Sequence, residues 1–273
     1  MFALDPHARD RVLSALRTLP LNTLFVQSVL CDHVDGRIYA DDAREPRALY
    51  AVHPYGMALL WGEPGRKGWH AWLRDHLVAT ERAAEWLQVH PEPWSAVVES
   101  ILADRFDGDD GALRCTRVNF AFDRDAYLRA RATVAAALDR ATIVPTDAAM
   151  FARIEGGVVP QRFWRDAAQF VAHGGGFSAL ADGEVAATAF CSFRHGAQLE
   201  LGIETVPRRR GQGHARLAAC RLIDDCLDRG LEPVWACRLE NTSSFELARK
   251  LGFVPARHLP YYRLPSRPSA PAR

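Results

Sequence analysis

A chain of 273 residues is long for one compact domain and comfortable for two. With 48% hydrophobic residues, 25% charged residues and a formal net charge of +1, the composition is that of an ordinary soluble globular protein. It lacks the strong positive field that draws a protein to nucleic acid or to an anionic membrane.

The first stretch, 1–21, mixes Asp5, His7, Arg9, Asp10 and Arg11 with apolar residues, so it lacks the continuous apolar core of a signal peptide. No later run approaches the ~20 apolar residues of a membrane span. The chain is expected to be cytoplasmic. Residues 6–19 read as a helix with Val12, Leu13, Leu16 and Leu19 on one face. Residues 37–39, 48–52 and 57–61 read as strands, and Pro54-Tyr55-Gly56 supplies the turn between the last two. Helices are expected over 69–84 and 93–102, and a strand over 117–122. This is an α/β domain with no motif of its own.

Residues 131–140 are helical in composition, and Pro145-Thr146-Asp147 interrupts them. A boundary near 135 divides an N-terminal domain, 1–135, from a second domain, 136–264. Residues 265–273, rich in Pro, Ser and Arg, read as a flexible tail. No internal repeat is visible in the sequence. In the second domain, 163–171 reads as an aromatic amphipathic helix broken by Gly174-Gly175-Gly176. Strands follow over 177–180, 184–193 and 198–206, with Asp182-Gly183 and His195-Gly196 as turns. His173-Gly174-Gly175-Gly176 is similar to an esterase oxyanion loop, but no G-x-S-x-G elbow accompanies it.

The third strand runs into Val206-Pro207-Arg208-Arg209-Arg210-Gly211-Gln212-Gly213-His214-Ala215. A helix follows, with Leu217, Ala218, Cys220, Leu222, Ile223, Cys226 and Leu227 at helical spacing, and Gly230 ends it. A glycine-bearing loop at a helix N-terminus turns several N–H groups outward, where phosphate binds. The plainer alternative is a capped helix with a solvated arginine triplet.

Further residues decide between these. Arg210-Gly211-Gln212-Gly213-His214-Ala215 resembles the R/Q-x-x-G-x-G/A signature of the GNAT N-acetyltransferase superfamily. Residues 232–237 read as the next strand. Asn241-Thr242-Ser243-Ser244 then opens a helix that ends in Lys250-Leu251-Gly252-Phe253, similar to the family's second signature. The likeness covers about the last 130 residues. The finer pattern around Glu200-Leu201-Gly202-Ile203-Glu204 resembles the branch named for zwittermicin-A resistance, in which the N-terminal half is a separate domain, sometimes a degenerate GNAT-like copy.

The resemblance implies a GNAT fold, a mixed and mostly antiparallel sheet flanked by helices, and acetyl-CoA as co-substrate. It implies that the pantetheine arm pairs with backbone groups of Glu204, Thr205 and Val206, and that the pyrophosphate sits on Arg210, Gly211, Gln212, Gly213, His214 and Ala215. Asn241 and Ser244 would touch the CoA arm, helix capping being the alternative. It implies acetyl transfer to a primary amine of a small molecule; a non-catalytic acyl-CoA sensor and a protein-amine acetyltransferase are the competing readings.

Glu200 and Glu204 lie four apart on one strand, so both point to one face, and Leu201, Ile203 and Thr205 to the other. Glu204 is the first candidate for a base or ammonium binder, and Glu200 the second. The alternative is a surface ion pair with Arg194 or an arginine of 208–210. Ala248 stands where many members carry the tyrosine that protonates the leaving thiolate; Tyr261 and Tyr262 are substitutes only if they are not packed. The tryptophans Trp61, Trp69, Trp72, Trp86, Trp94 and Trp164 serve as pocket walls or as core. Cys31, Cys115, Cys191, Cys220, Cys226 and Cys237 form no CxxC pair, the histidines show no HExxH spacing, and no metal is expected. Nothing fixes whether the chain is a monomer or a homodimer.

Overall fold

In this computed structural model, which describes residues 2–65, 67–78, 83–106 and 111–266, the chain forms two units. The first is Met1–Arg117 with His258–Arg273, and the second is Val118–Arg257. The sequence places the division near 135. The stretch 118–135 belongs instead with the second unit, because Tyr127 and Arg131 bind Asp224. Residues 261–264 return to the first unit, where they pair with 85–88.

The first unit runs β1 (Phe2–Ala3), α1 (Pro6–Leu16), α2 (Leu24–Leu30), β2 (Arg37–Ala40), β3 (Ala48–Val52), β4 (Met57–Gly62), α3 (Lys67–Val78), β5 (Glu85–His90) and α4 (Pro93–Leu102). The helix expected over 69–84 is described as far as Val78, and 79–82 lie outside the described residues, as do 267–273 of the expected tail. Strands β1 to β4 pair antiparallel in succession. Strand β5 then pairs parallel with β4 from Met57↔Trp86 to Trp61↔His90. Strands β3 and β4 are apolar at nearly every position, as strands covered on both faces are. Trp69, Leu73 and Leu77 of α3 and Trp94 and Val98 of α4 pack on Tyr50, Leu60 and Leu87. These tryptophans are core.

The second unit takes up the end of β6 (Leu113–Phe122) and continues through α5 (Arg124–Ala132), α6 (Ala135–Arg140), β7 (Thr142–Pro145), α7 (Ala148–Arg153) and α8 (Ala167–Gln169). It goes on through β8 (Gly176–Ala181), β9 (Glu184–His195), β10 (Gln198–Thr205), α9 (His214–Asp228), β11 (Glu232–Val234), β12 (Ala236–Arg238), α10 (Thr242–Lys250) and the start of β13 (Phe253–Leu264). Its sheet has the order β7-β8-β9-β10-β11. Strands β7 to β10 are antiparallel and β11 is parallel to β10. The succession matches that of the first unit: a strand, two helices, three antiparallel strands, a helix, a parallel strand and a helix. The repeat is one of topology alone. The fold is mixed α/β, with mostly antiparallel sheets flanked by helices. Among the described residues no helix is long and apolar enough to cross a membrane.

Two expected elements are broken. In place of one helix over 163–171, Asp166 caps the short α8 and a π turn runs over Phe170–Gly174. Phe163 and Trp164 are anchored one by one: the Trp164 indole donates to the Cys191 carbonyl at 2.6 Å and lies where a Cβ on Gly174 would fall. The strand expected over 232–237 is split at Trp235 into β11 and β12.

Helix α9 buries Ala218, Cys220, Leu222, Ile223 and Cys226 of the stripe read from the sequence, together with Ala219, while Leu217 and Leu227 are half-buried. Each large member contributes about 1.5–3 kcal/mol by leaving water. A polar tie fixes α5 to α9: Tyr127 Oη lies 2.6 Å from Asp224 Oδ1, and Arg131 Nε donates to both Asp224 oxygens at 2.8 Å. Burial, then the bond to Asp224, raises the Tyr127 pKa. Tyr127→Phe should lower unfolding stability by about 1 kcal/mol in denaturant titration. An unchanged midpoint would remove the tie from the account.

His53, fully buried at the β3–β4 turn, accepts the Tyr55 N–H on Nδ1 at 3.0 Å. Burial pushes its pKa down to about 3. Above about pH 6.5 the folded and unfolded chains are both neutral at this residue. Below it the unfolded chain binds a proton that the folded chain refuses, so stability falls by about 1.4 kcal/mol per pH unit towards pH 3. Denaturant titrations of wild type and His53→Asn at pH 7.5 and pH 5 should therefore differ in pH dependence by about 2 kcal/mol, with the variant losing less. Parallel losses would refute the assignment.

Candidate active site

Strand β11 accompanies β10 for three residues only, Gln198↔Glu232, Leu199↔Pro233 and Glu200↔Val234. The chain then turns at buried Trp235 and β12 joins β6, where Phe120 donates to the Trp235 carbonyl at 3.1 Å. Beyond Glu200, β10 keeps β9 on one side and has no strand pairing on the other among the described residues. Val206 N–H donates to the Ala186 carbonyl at 3.0 Å. Antiparallel alternation therefore turns the backbone groups of Glu204 and Gly202 towards β9, and those of Ile203 and Thr205 towards the open side. Of the three residues expected to offer backbone groups there, Thr205 turns them to the open side, where Glu204 Oε1 accepts its N–H at 3.1 Å and Arg210 Nε lies 3.4 Å from its carbonyl. Val206 uses its N–H inside the sheet, and its carbonyl accepts from Arg209 at 2.8 Å.

The loop after β10 makes an anion nest. Gly211 and Gly213 have φ of +77° and +86°, and a Cβ on either would stand in open space. Gly213 caps α9 without a side-chain bond. The amides of 211–215 make no hydrogen bond among the described residues, and they gather at the positive end of a 15-residue helix. Arg208 pairs with Glu184, and Arg209 with Asp182 at 2.6 Å, so these two arginines belong to the β8–β9 hairpin. Gln212 Nε2 donates to the Arg208 carbonyl at 3.2 Å. Arg210 lies along the open edge, its Nε 3.4 Å from the Thr205 carbonyl. His214 and Ala215 form the first turn of the helix.

Asn241 caps α10, its Oδ1 accepting the Ser244 N–H at 3.2 Å, while the Ser244 hydroxyl accepts from Trp235 Nε1 at 3.2 Å. Capping accounts for the side-chain oxygen of Asn241 and leaves its amide nitrogen to donate elsewhere.

The two glutamates sit in different surroundings. Glu200 is buried at the last β10–β11 pair, and the Ser192 hydroxyl donates to its carbonyl at 3.0 Å. The register with β9 shifts between Glu200 and Leu201. A Cβ on Gly202 would meet the Phe190 ring at 2.5 Å, and the Phe163 ring lies tilted against that ring at 5.6 Å, so aromatic surface covers the face between the two carboxylates. Glu204 Oε2 accepts the N–H groups of Gly157 at 2.8 Å and Val158 at 2.9 Å. Its Oε1 accepts the Thr205 N–H at 3.1 Å and lies 3.8 Å from Arg210 Nη2. The ion pair weighed from the sequence is there, but the main partner is a loop 46 residues upstream. Only the Gly156-Gly157 pair signals that loop in the sequence.

Neither substitute tyrosine belongs to this unit. Tyr261 stacks on Trp86 at 5.3 Å, and Tyr262 donates to Glu99 at 2.8 Å, with burial pushing its pKa up to about 12. Ala248 is fully buried, and Tyr127 is committed to Asp224. An open strand edge beside an anion nest can hold an extended amide-bearing chain that ends in phosphates.

The sequence profile of the GNAT acetyltransferase family matches residues 18–262. The uncharacterized N-acetyltransferase YdfB of Bacillus subtilis (strain 168) is 26% identical over 235 residues, covering 84% of this chain and 85% of that protein. Among solved structures, a GCN5-related N-acetyltransferase-like protein from Streptococcus suis 89/1591 shares the fold with a TM-score of 0.68, 22% identity and coverage of 95% and 99% of the two chains. A tandem GNAT protein from the clavulanic acid biosynthesis pathway shares it with a TM-score of 0.62, 14% identity and coverage of 99% and 98%. The family match spans both units and includes the strand with the open edge, the loop and the helix that follow it, and on it the chain belongs to the GNAT acetyltransferase family.

Proposed function

We propose that the second unit binds acetyl-CoA along the open edge of β10 and transfers its acetyl group to a primary amine of a small molecule, by direct attack in a ternary complex. The observation that carries this reading is the open stretch of β10 leading into the nest at 211–215. Outward backbone groups at Ile203 suit an amide of a pantetheine arm, read as an added strand, while those of Thr205 are engaged by Glu204 Oε1 and Arg210. The nest suits a pyrophosphate, with Arg210 as the nearby cation and Asn241 and Ser244 as further polar partners. In the reaction the amine nitrogen attacks the thioester carbonyl, the C–S bond breaks, the nitrogen gives up a proton and the departing thiolate gains one. With no tyrosine of this unit at hand, water is the proton donor to the thiolate. The narrower likeness to the zwittermicin-A-resistance branch supports an amine-bearing small molecule as acceptor.

The first unit is, in this reading, a GNAT-like module without a donor site. Its β4 and β5 stay paired from Met57 to Trp61, which leaves no edge to which an arm can add. Titration calorimetry should therefore give one acetyl-CoA per chain, and two per chain would overturn that assignment.

At 100 times its dissociation constant, acetyl-CoA should stabilise the fold by about 2.7 kcal/mol in thermal melting. Gly213→Asp sets a negative charge in the nest and places a side chain at φ +86°, a strain of about 1–2 kcal/mol. It should melt lower than wild type by about that amount, stay folded, and bind acetyl-CoA at least about tenfold more weakly. Free-thiol release from acetyl-CoA over a panel of primary amines then tests transfer. No stabilisation by acetyl-CoA would sink the donor assignment; stabilisation without turnover on any amine would favour a binding module.

A further inference from the structure

We propose that Glu204 is a positioning residue: its carboxylate fastens the 155–158 loop to the open edge of β10 and does not take the proton from the acceptor amine. The kinetic side of this inference rests on the acetyl-transfer reading; the structural side does not.

The two oxygens divide the work. Oε2 receives two successive backbone N–H groups, from Gly157 and Val158, and Oε1 receives the Thr205 N–H with Arg210 beside it. A carboxylate offers about four acceptor directions. Three are filled by donors on the backbone and the fourth faces a guanidinium. To accept a proton from an amine, Glu204 would have to surrender one of these charge-assisted bonds.

The loop is shaped for this contact. Gly156 has φ +148°, and a Cβ there would fall 2.4 Å from Glu204 Oε2, so the backbone lies against the carboxylate as only glycine permits. Between the end of α7 at Arg153 and the turn at Pro160–Arg162 the loop has no regular structure. Gln161 Nε2 donates to the Ile154 carbonyl at 2.9 Å, which ties down one end. The middle is held by Glu204. Because Glu204 adjoins Thr205, an acceptor that reaches a thioester on that edge passes this loop, and the loop's placement sets how the amine is presented.

Two variants separate the roles. Glu204→Gln replaces an acceptor oxygen with a donor. Gly156→Ala leaves the carboxylate intact and displaces the loop. Hydrogen exchange is read first, on the full chain without any acceptor. In both variants the amides of Gly157 and Val158 should exchange at least about tenfold faster than in wild type, with global melting little changed. Steady-state acetylation of the best amine of the panel is read next. In both variants the amine KM should rise about tenfold, with kcat less affected and the shape of the pH–rate profile kept. Unchanged exchange at Gly157 and Val158 in both variants would overturn the latch. So would loss of the acidic limb of the profile in Glu204→Gln while Gly156→Ala keeps the wild-type amine KM, because that is the behaviour of a base. If no amine is turned over, the acetyl-transfer reading fails and the exchange result alone decides the latch.

Discussion

Strand β11 leaves β10 after Glu200↔Val234, and the consequences of that departure run through the second unit. A strand edge inside a sheet presents N–H and C=O groups that need partners, and water or another chain supplies them if the protein does not. The departure is enforced by Trp235. Its buried ring lies tilted against Phe253 at 5.3 Å, its carbonyl accepts from Phe120 and its indole donates to Ser244. Trp235, at which the two strands part, is thereby held by three separate elements. In the function proposed above, that edge is where the donor's arm lies.

The first unit shows what the same succession does without the departure. Strand β5 follows β4 through five paired residues, and its other side is taken by Tyr261–Leu264. The edge that the second unit leaves open is closed here. The interior is correspondingly aromatic, with Trp69, Trp94 and Tyr50 buried where they contribute to packing. One topology thus serves two ends, and the difference lies in how many residues of one parallel pair are allowed to form.

The sequence made the helix α9 and its loop legible, because glycines, a basic run and an apolar stripe at helical spacing fall together over 206–227. It also showed the antiparallel strands of the second half. Three things were not legible. The split at Trp235 reads as one continuous strand, since local propensity carries no information on which sheet a residue joins. The aromatic stretch at 163–171 has helical spacing, yet Trp164 is bound to Cys191 across the chain and the backbone follows that bond. The partners of Glu204 lie 46 and 47 residues away, and a carboxylate on a strand looks the same from the sequence whether it faces solvent, a substrate or a pair of amides. The repeated topology was hidden for a related reason: a fold is set by pattern and turn placement, and the two halves share these without sharing residues.

In the function proposed above, the distribution of charge around the nest bears on how a pyrophosphate would be held. The arginine triplet suggests a cationic site, but Arg208 and Arg209 are neutralised by Glu184 and Asp182 on the β8–β9 hairpin. What remains facing the nest is a set of backbone N–H groups fixed by Gly211, Gly213 and the start of α9, with Arg210 as the one arginine of the triplet that the hairpin does not hold. Backbone dipoles held by a helix need no rearrangement when an anion arrives, and they select for geometry as well as for charge. The paired arginines link the loop to the hairpin. Arg210 holds the Thr205 carbonyl and borders Glu204, which places one side chain at the junction of the nest, the open edge and the latched loop.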